Sequence, residues 1–231
     1  LSSKSTPNAL LLGEAGVGKT AVVEGLAKEI AEGDVPPALQ GVRIRTVEIG
    51  SLVAGTIYRG QFEERLQTII KQAEADPKLI WFIDEIHMIV GAGATGAGDS
   101  MDAANILKQP LADGRMRVIG ATTEDEYQRY MQKDAALGRR FGIVKVPEPS
   151  RDDTVEILRG LRERYQDFHE VTVLDEALEA AVDLSIRYMP DLRLPSKAIS
   201  VLDKMCAGKR LRSFYGYTDI GEMSRDERKA L

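Results

Sequence analysis

The chain has 231 residues and a single cysteine, Cys206, so no internal disulfide is available to it. That cysteine and two histidines are too few for the thiol and imidazole sets that hold zinc. No apolar run approaches the ~20 residues needed to cross a bilayer, and no stretch has the layout of a signal peptide. Basic residues do not predominate: 31 Lys and Arg stand against 36 Asp and Glu, a net charge of −5. That balance argues against a nucleic-acid footprint spread over the surface. What is present is an ordinary globular mixture, 43% hydrophobic and 29% charged, long enough for one large domain or a domain with a smaller satellite. A reduced thiol and no membrane span make a cytoplasmic location the expectation.

The stretch around which the chain is organised is Gly13-Glu14-Ala15-Gly16-Val17-Gly18-Lys19-Thr20. It fits the phosphate-loop pattern G-x-x-x-x-G-K-[ST] and sits in the right context. Ala9 to Leu12 reads as a short buried strand before it, and Ala21 onward as an amphipathic helix ending near Gly33. Glycines let the backbone approach an anion, and the helix start adds unpaired N–H donors and the positive end of its dipole. Lys19 is expected to reach the β- and γ-phosphates and Thr20 to ligate Mg²⁺. The N/T-K-x-D pattern of guanine readers is absent, which favours adenine.

Strands and helices alternate from there. Strands are expected at 42–49, 79–84, 116–121 and 143–146, and helices at 61–75, 101–112 (with Pro110 near its end) and 124–133. The run Ile80-Trp81-Phe82-Ile83 is apolar on both faces, as in the centre of a parallel sheet. Pro147-Glu148-Pro149-Ser150 then changes the character of the chain, and the remainder is mostly helical. Helices are expected at 151–165, after a cap at Asp175, and after a cap at Ser196. The expectation is a doubly wound α/β layer followed by a helical satellite. Trp81 and Cys206 read as core, His87 as a local hydrogen-bonding group, and His169 as a loop residue.

Three clusters bear on chemistry. Asp84 and Glu85 end a buried strand, where open α/β sheets bind ligands. Asp84 would hold Mg²⁺ and Glu85 would act as general base on a water, although an acidic pair at a helix start can also be a simple cap. Thr122-Thr123 ends the 116–121 strand; a hydroxyl there would lie near the γ-phosphate, or serve a turn. Arg139-Arg140 reads either as solvated charge or as a trans-acting arginine finger, which would require assembly.

Taken together, Gly13 to Thr20, Tyr58-Arg59-Gly60-Gln61-Phe62-Glu63-Glu64-Arg65-Leu66, Phe82 to His87, Met101 to Asn105, Ile119 to Thr123 and Lys133 to Phe141 resemble the first AAA+ module of the Clp ATPases, the ClpA/ClpB/ClpC group. The 209–214 stretch looks most like ClpC. The resemblance runs in register from Leu1 to about Arg212. It implies a P-loop NTPase fold with a five-stranded parallel sheet flanked by helices, residues 1–147, a small helical lid, 148–212, and the start of a middle-domain or linker segment, 213–231. It implies ATP and Mg²⁺ as ligands, with Thr123 as sensor 1, Arg139 and Arg140 as fingers of a homo-hexamer, and Tyr58 as the tip of an axial pore loop. Residues 91–99 would form a second pore loop, and Ile157, Leu161 and Pro195 would neighbour adenine.

The implied activity is ATP-driven threading of unfolded or tagged polypeptide, with an adaptor and a ClpP-type peptidase as candidate partners. A slowly hydrolysing nucleotide-binding scaffold and a ClpB-like disaggregase without a peptidase are the alternatives. Family members carry further sequence before Leu1 and a second module, so the chain reads as a fragment. Ile57 stands where the family often has Lys, Gly138 where it has Glu, and Ser196 where it has Asp. The last counts against a sensor-2 role for Lys197.

Overall fold

The computed structural model describes residues 1, 7–49, 59–91, 103–132 and 135–214. The chain divides into two compact units, one from Leu1 to Pro147 and one from Glu148 onward. Among the described residues no helix is long and apolar enough to cross a membrane.

The first unit is built on five strands: β1 (Asn8–Leu12), β2 (Arg43–Val47), β3 (Leu79–Ile83), β4 (Arg117–Thr122) and β5 (Phe141–Lys145). They form one sheet in the order β2-β3-β4-β1-β5, and every pairing is parallel. A parallel neighbour cannot be reached by a hairpin, so the chain returns through crossovers. These contain α1 (Lys19–Glu32), α2 (Arg59–Ala75), α3 (His87–Gly91), α4 (Ala103–Ala112), α5 (Glu124–Glu126) and α6 (Ala135–Gly138). β4 lies between β3 and β1, as the crossover order requires, so three strand ends that carry chemistry are neighbours.

Period-two alternation divides the strand side chains between two cores. Leu10, Leu12, Trp81 and Ile83 join Leu66, Ile70, Leu107 and Leu111 on one face. Leu11, Ile80 and Phe82 join Val23 and Ile30 of α1 on the other. Every residue of β3 is buried, as its unbroken apolar run predicts. At about 1.5–3 kcal/mol per buried large apolar side chain, β3 alone accounts for a large share of what holds the sheet between its helices.

The structure departs from the sequence reading in the crossover after β4. The expected single helix over 124–133 is one short turn, α5, followed by a π-helical turn at Tyr127–Met131. Its i→i+5 bond runs from the Gln132 N–H to the Tyr127 carbonyl at 2.8 Å. Widening the turn by one residue is invisible to a 3.6-residue period, and Met131 is fully buried by it.

The second unit consists of α7 (Arg151–His169), α8 (Asp175–Tyr188) and α9 (Ser196–Phe214) around Leu158, Leu178, Val182, Leu194, Leu202 and Cys206. Ser150 and Asp153 form a reciprocal capping box at the start of α7. Three expectations are corrected here, the first being that Ser196 begins α9 rather than capping it. Asp175 is the first residue of α8 rather than its cap; Leu174 sits at the cap with no side-chain bond. The Asp175 carboxylate is drawn instead to Arg162 and Arg159 on α7. His169 is the last residue of α7 rather than a loop residue. It is buried, with Nε2 2.7 Å from Asp203 Oδ1 on α9, and this anchor carries the helix past Tyr165. α9 is described through Phe214; residues 215–231, most of the segment expected at 213–231, lie outside the described residues.

Candidate nucleotide site

The phosphate loop follows β1 directly. The Gly13 N–H donates to the Thr122 carbonyl at 3.3 Å, which ties the loop to the end of β4. A Cβ on Gly13 would stand 2.3 Å from the Val146 carbonyl oxygen, so no larger residue fits. Gly16 and Gly18 are left-handed, at φ 87° and 97°, a conformation that costs other L-residues dearly. Buried Val17 anchors the loop, while Glu14, Ala15 and Gly16 are exposed on its rim.

α1 begins at Lys19, two residues earlier than expected, with Gly18 at its cap and no side-chain acceptor there. The first N–H groups of the helix are therefore left for an anion. Lys19 Nζ donates to the carbonyls of Gly13 at 2.8 Å and Glu14 at 3.0 Å. Burial lowers the Lys19 pKa, against the pull of Asp84, Glu126, Glu14 and Glu85, which favour its charged form. Those four carboxylates hold the ammonium in its charged form.

Thr20 and Asp84 meet across the gap between α1 and β3. The Thr20 hydroxyl donates to Asp84 Oδ2 at 3.0 Å, and Asp84 Oδ1 accepts from the Glu85 N–H at 3.0 Å. A hydroxyl and a carboxylate at one point are a hard-oxygen pair suited to Mg²⁺, which takes few protein ligands and keeps waters and phosphates for the rest. Glu85 has φ 51°, one of two non-glycine residues with positive φ among the described residues. Its turn ends β3, its carboxylate is exposed, and the next N–H, from Ile86, donates to the Ala121 carbonyl at 3.1 Å. Thr20, Asp84, Glu85, Thr46 and Met88 line one open cleft.

Sequence reasoning missed the hub beside them. Glu126 Oε2 accepts from the Thr122 hydroxyl at 3.1 Å and the Thr123 N–H at 3.1 Å, and lies 3.2 Å from His87 Nδ1. His87 Nδ1 is also 3.0 Å from Thr122 Oγ1, so His87 reaches across to β4 rather than bonding locally. Thr123 Oγ1 accepts from the Glu126 N–H at 3.3 Å, completing a capping box. A hydroxyl that accepts from a backbone N–H keeps its own proton to donate. Burial pushes the Glu126 carboxyl up, but hydrogen bonds from Thr123 and Thr122 and the charge of His87 outweigh it and leave it below its ordinary value. The signal was available: Thr123-Glu124-Asp125-Glu126 fits the T-x-x-E capping box.

Other expected residues lie elsewhere. Arg139 and Arg140 are exposed at the opposite, N-terminal end of β5, without an acidic partner among the described residues. In the second unit, Ile157 is exposed, Leu161 half-buried and Pro195 buried. Lys197 is buried there, its Nζ 3.4 Å from the Met189 carbonyl and 4.0 Å from Glu148 Oε1, which accounts for its charge within the unit. Tyr58 and residues 92–99 lie outside the described residues.

Comparison with known proteins agrees with this geometry. Residues 9–146 match the "ATPase family associated with various cellular activities (AAA)", and residues 150–230 match the AAA lid domain. The chain is 50% identical over 225 residues to a chaperone protein ClpB of Oceanobacillus iheyensis, covering 97% of this chain and 28% of that protein. It is 48% identical to the negative regulator of genetic competence ClpC/MecB of Bacillus subtilis, with coverage of 97% and 28%. Among solved structures, a Saccharomyces cerevisiae Hsp104–ADP complex aligns with a TM-score of 0.83 at 43% identity, over 93% of this chain and 36% of that one. A closed-state Hsp104 with ATPγS and FITC casein aligns at 0.80 and 45%, over 89% and 35%. The chain thus spans about a quarter to a third of the length of these relatives. A phosphate cradle at the switch point of a β2-β3-β4-β1-β5 sheet, followed by a three-helix lid, belongs to the AAA ATPase family, and this chain is an AAA domain plus AAA lid of the Clp chaperone kind.

Proposed function

We propose that the chain binds Mg–ATP and hydrolyses it as one member of a homo-hexameric ring that threads polypeptide. The observation that carries this reading is the Thr20–Asp84 contact, 3.0 Å, set beside a helix start with no side-chain cap and a Lys19 ammonium folded onto the loop. Thr20 and Asp84 would hold Mg²⁺, which when bound neutralises charge on the phosphates. Lys19 would exchange its two carbonyl partners for phosphate oxygens. Glu85, exposed next to Asp84, would take a proton from the attacking water. Thr123 would donate its hydroxyl proton to the terminal phosphate, held for that purpose by Glu126.

The position of Arg140 supports a shared site. Asn8 pairs with Phe141 at one end of the β1–β5 ladder and Leu12 with Lys145 at the other. Five residues of strand, about 16 Å, separate Arg140 from the start of its own phosphate loop. No arginine side chain folds back over that distance, so Arg139 and Arg140 are offered outward, to a neighbouring copy.

Ile157, Leu161 and Pro195 would contact adenine, and Tyr58 would grip substrate polypeptide. The casein present with Hsp104 in one aligned structure is the kind of substrate intended. Identities of 50% to a ClpB and 48% to a ClpC do not separate disaggregation from delivery to a peptidase, so an adaptor and a ClpP-type peptidase stand as candidate partners.

The test is ATP turnover against protein concentration. Glu85→Gln is expected to bind ATP and not turn it over. Arg140→Ala is expected to keep binding while turnover drops by about 10³–10⁵, the scale of an arginine finger. Turnover by the parent that is independent of concentration, together with an unchanged Arg140→Ala variant, would remove the shared site.

A further inference from the structure

Asn8 opens β1, the strand that leads into the phosphate loop, yet its side chain takes no part in that loop. It is 1% exposed, one of the few polar side chains buried in the first unit. Its Oδ1 accepts from the Val118 N–H at 2.9 Å, and its Nδ2 donates to the Arg140 carbonyl at 3.2 Å. Backbone pairing of β1 with β4 starts at Ala9–Ile119, and pairing of β1 with β5 starts at Asn8–Phe141. The amide therefore extends both ladders by one step and joins three strands at their N-terminal ends. The partners fix which way it points, because Val118 can only donate and the Arg140 carbonyl can only accept. A carboxamide puts its acceptor and its donor on two separate atoms, one for each flanking strand, which a hydroxyl does not. Aspartate would keep the Val118 bond and lose the Arg140 one; alanine would lose both.

Arg140 is thus held by both of its backbone groups. Its N–H donates to the Leu137 carbonyl at 3.0 Å, and its own carbonyl accepts from Asn8. The root of the residue is clamped while its guanidinium is exposed.

We propose that Asn8 is a positioning residue for Arg140, fixing the root of the arginine that each copy presents to its neighbour's nucleotide. The inference rests on the shared-site reading given above. Its distinctive consequence is that damage at Asn8 appears in the neighbour's site rather than in its own. A misplacement of about 1 Å at such a group costs on the order of 10²-fold in rate.

The experiment is subunit mixing under conditions where parent turnover depends on concentration. Asn8→Asp and Asn8→Ala are each measured alone for ATP affinity and turnover, then mixed with an excess of Glu85→Gln subunits, which are inactive but offer an intact Arg140. Alone, both variants are expected to bind ATP like the parent and to turn it over about 10–100-fold more slowly. In the mixture, turnover per Asn8-variant subunit is expected to rise about tenfold, because each variant site then meets a well-seated arginine. Parent-like turnover of the variants alone, weakened ATP affinity, or no recovery on mixing overturns the proposal; a variant that fails to fold gives no recovery and counts against it. Arg140→Ala mixed in the same way separates the two layers. Recovery for Arg140→Ala without recovery for the Asn8 variants sinks only the role of Asn8, whereas no recovery for Arg140→Ala sinks the shared site itself.

Discussion

Replacing Glu85 by glycine is expected to make the protein more stable and inactive. Glu85 sits at φ 51°, in the left-handed region. That conformation costs an L-residue about 1–2 kcal/mol through the clash of Cβ with the following carbonyl. It is imposed from both sides: Asp84 Oδ1 holds the Glu85 N–H, and the Ile86 N–H is pinned to the Ala121 carbonyl. Its carboxylate is exposed and has no hydrogen bond or ion pair among the described residues, so nothing is lost from contacts on removal. Glycine relieves the clash but gives the unfolded chain more freedom, worth about 0.4–1 kcal/mol against it. The net gain spans about 0–1.6 kcal/mol and centres on ~0.8, which for a chain of this size raises Tm by about 2–3 °C. The assay is thermal unfolding without nucleotide, alongside Glu85→Gln. Glutamine keeps Cβ and loses only the charge, so its Tm should match the parent while its turnover vanishes. If glycine destabilises the protein, the backbone is not strained at this position. If glutamine raises Tm as much as glycine, repulsion from Asp84 rather than backbone geometry is the cause.

Three further perturbations test the rest of the reading. Glu126→Ala leaves the buried Thr122 hydroxyl and the Thr123 N–H without their acceptor and should destabilise by about 1–2 kcal/mol. It should slow turnover no further when added to Thr123→Val, because the Glu126 carboxylate reaches the site by holding the Thr123 backbone N–H and so seating that hydroxyl; additive losses in that double-mutant cycle would separate them. The Glu126 carboxyl is held below its ordinary value of 4.5, so its contribution should be complete above pH 4.5 and fade as pH falls through the lower folded value, a loss that Glu126→Gln should not show. Tyr58→Ala should leave hydrolysis intact and abolish unfolding of a tagged substrate by the assembled ring; unchanged unfolding would place the grip elsewhere.

Much of this protein could be read from local pattern. The eight residues from Gly13 to Thr20 require glycine for backbone reasons that hold in any such turn, and the 2.3 Å approach of Val146 to a Gly13 Cβ is the tertiary face of the same requirement. The unbroken apolar run of β3 announced a strand buried on both sides, and Asp84 and Glu85 stand where it ends. Alternation of strand and helix periods was enough for a parallel sheet, because parallel strands have to be joined by crossovers. The units on either side of Pro147 were marked by two prolines and a change of period.

What local pattern does not carry is what depends on three strands meeting. His87 and Glu126 are 39 positions apart, and only the placement of β4 beside β3 brings them within 3.2 Å. The π turn at Tyr127–Met131 adds one residue to a helix without altering which residues are apolar. Asn8 looks like any polar residue ahead of a strand, and its two bonds exist only because β4 and β5 flank β1. The strain at Glu85 likewise comes from partners fixed by the sheet. Sequence determined the chemistry available at each strand end, since that depends on residue type and near neighbours. Tertiary structure decided which of those ends share a site and which, like the one that carries Arg140, lie at the far end of the sheet, since that depends on strand order and direction.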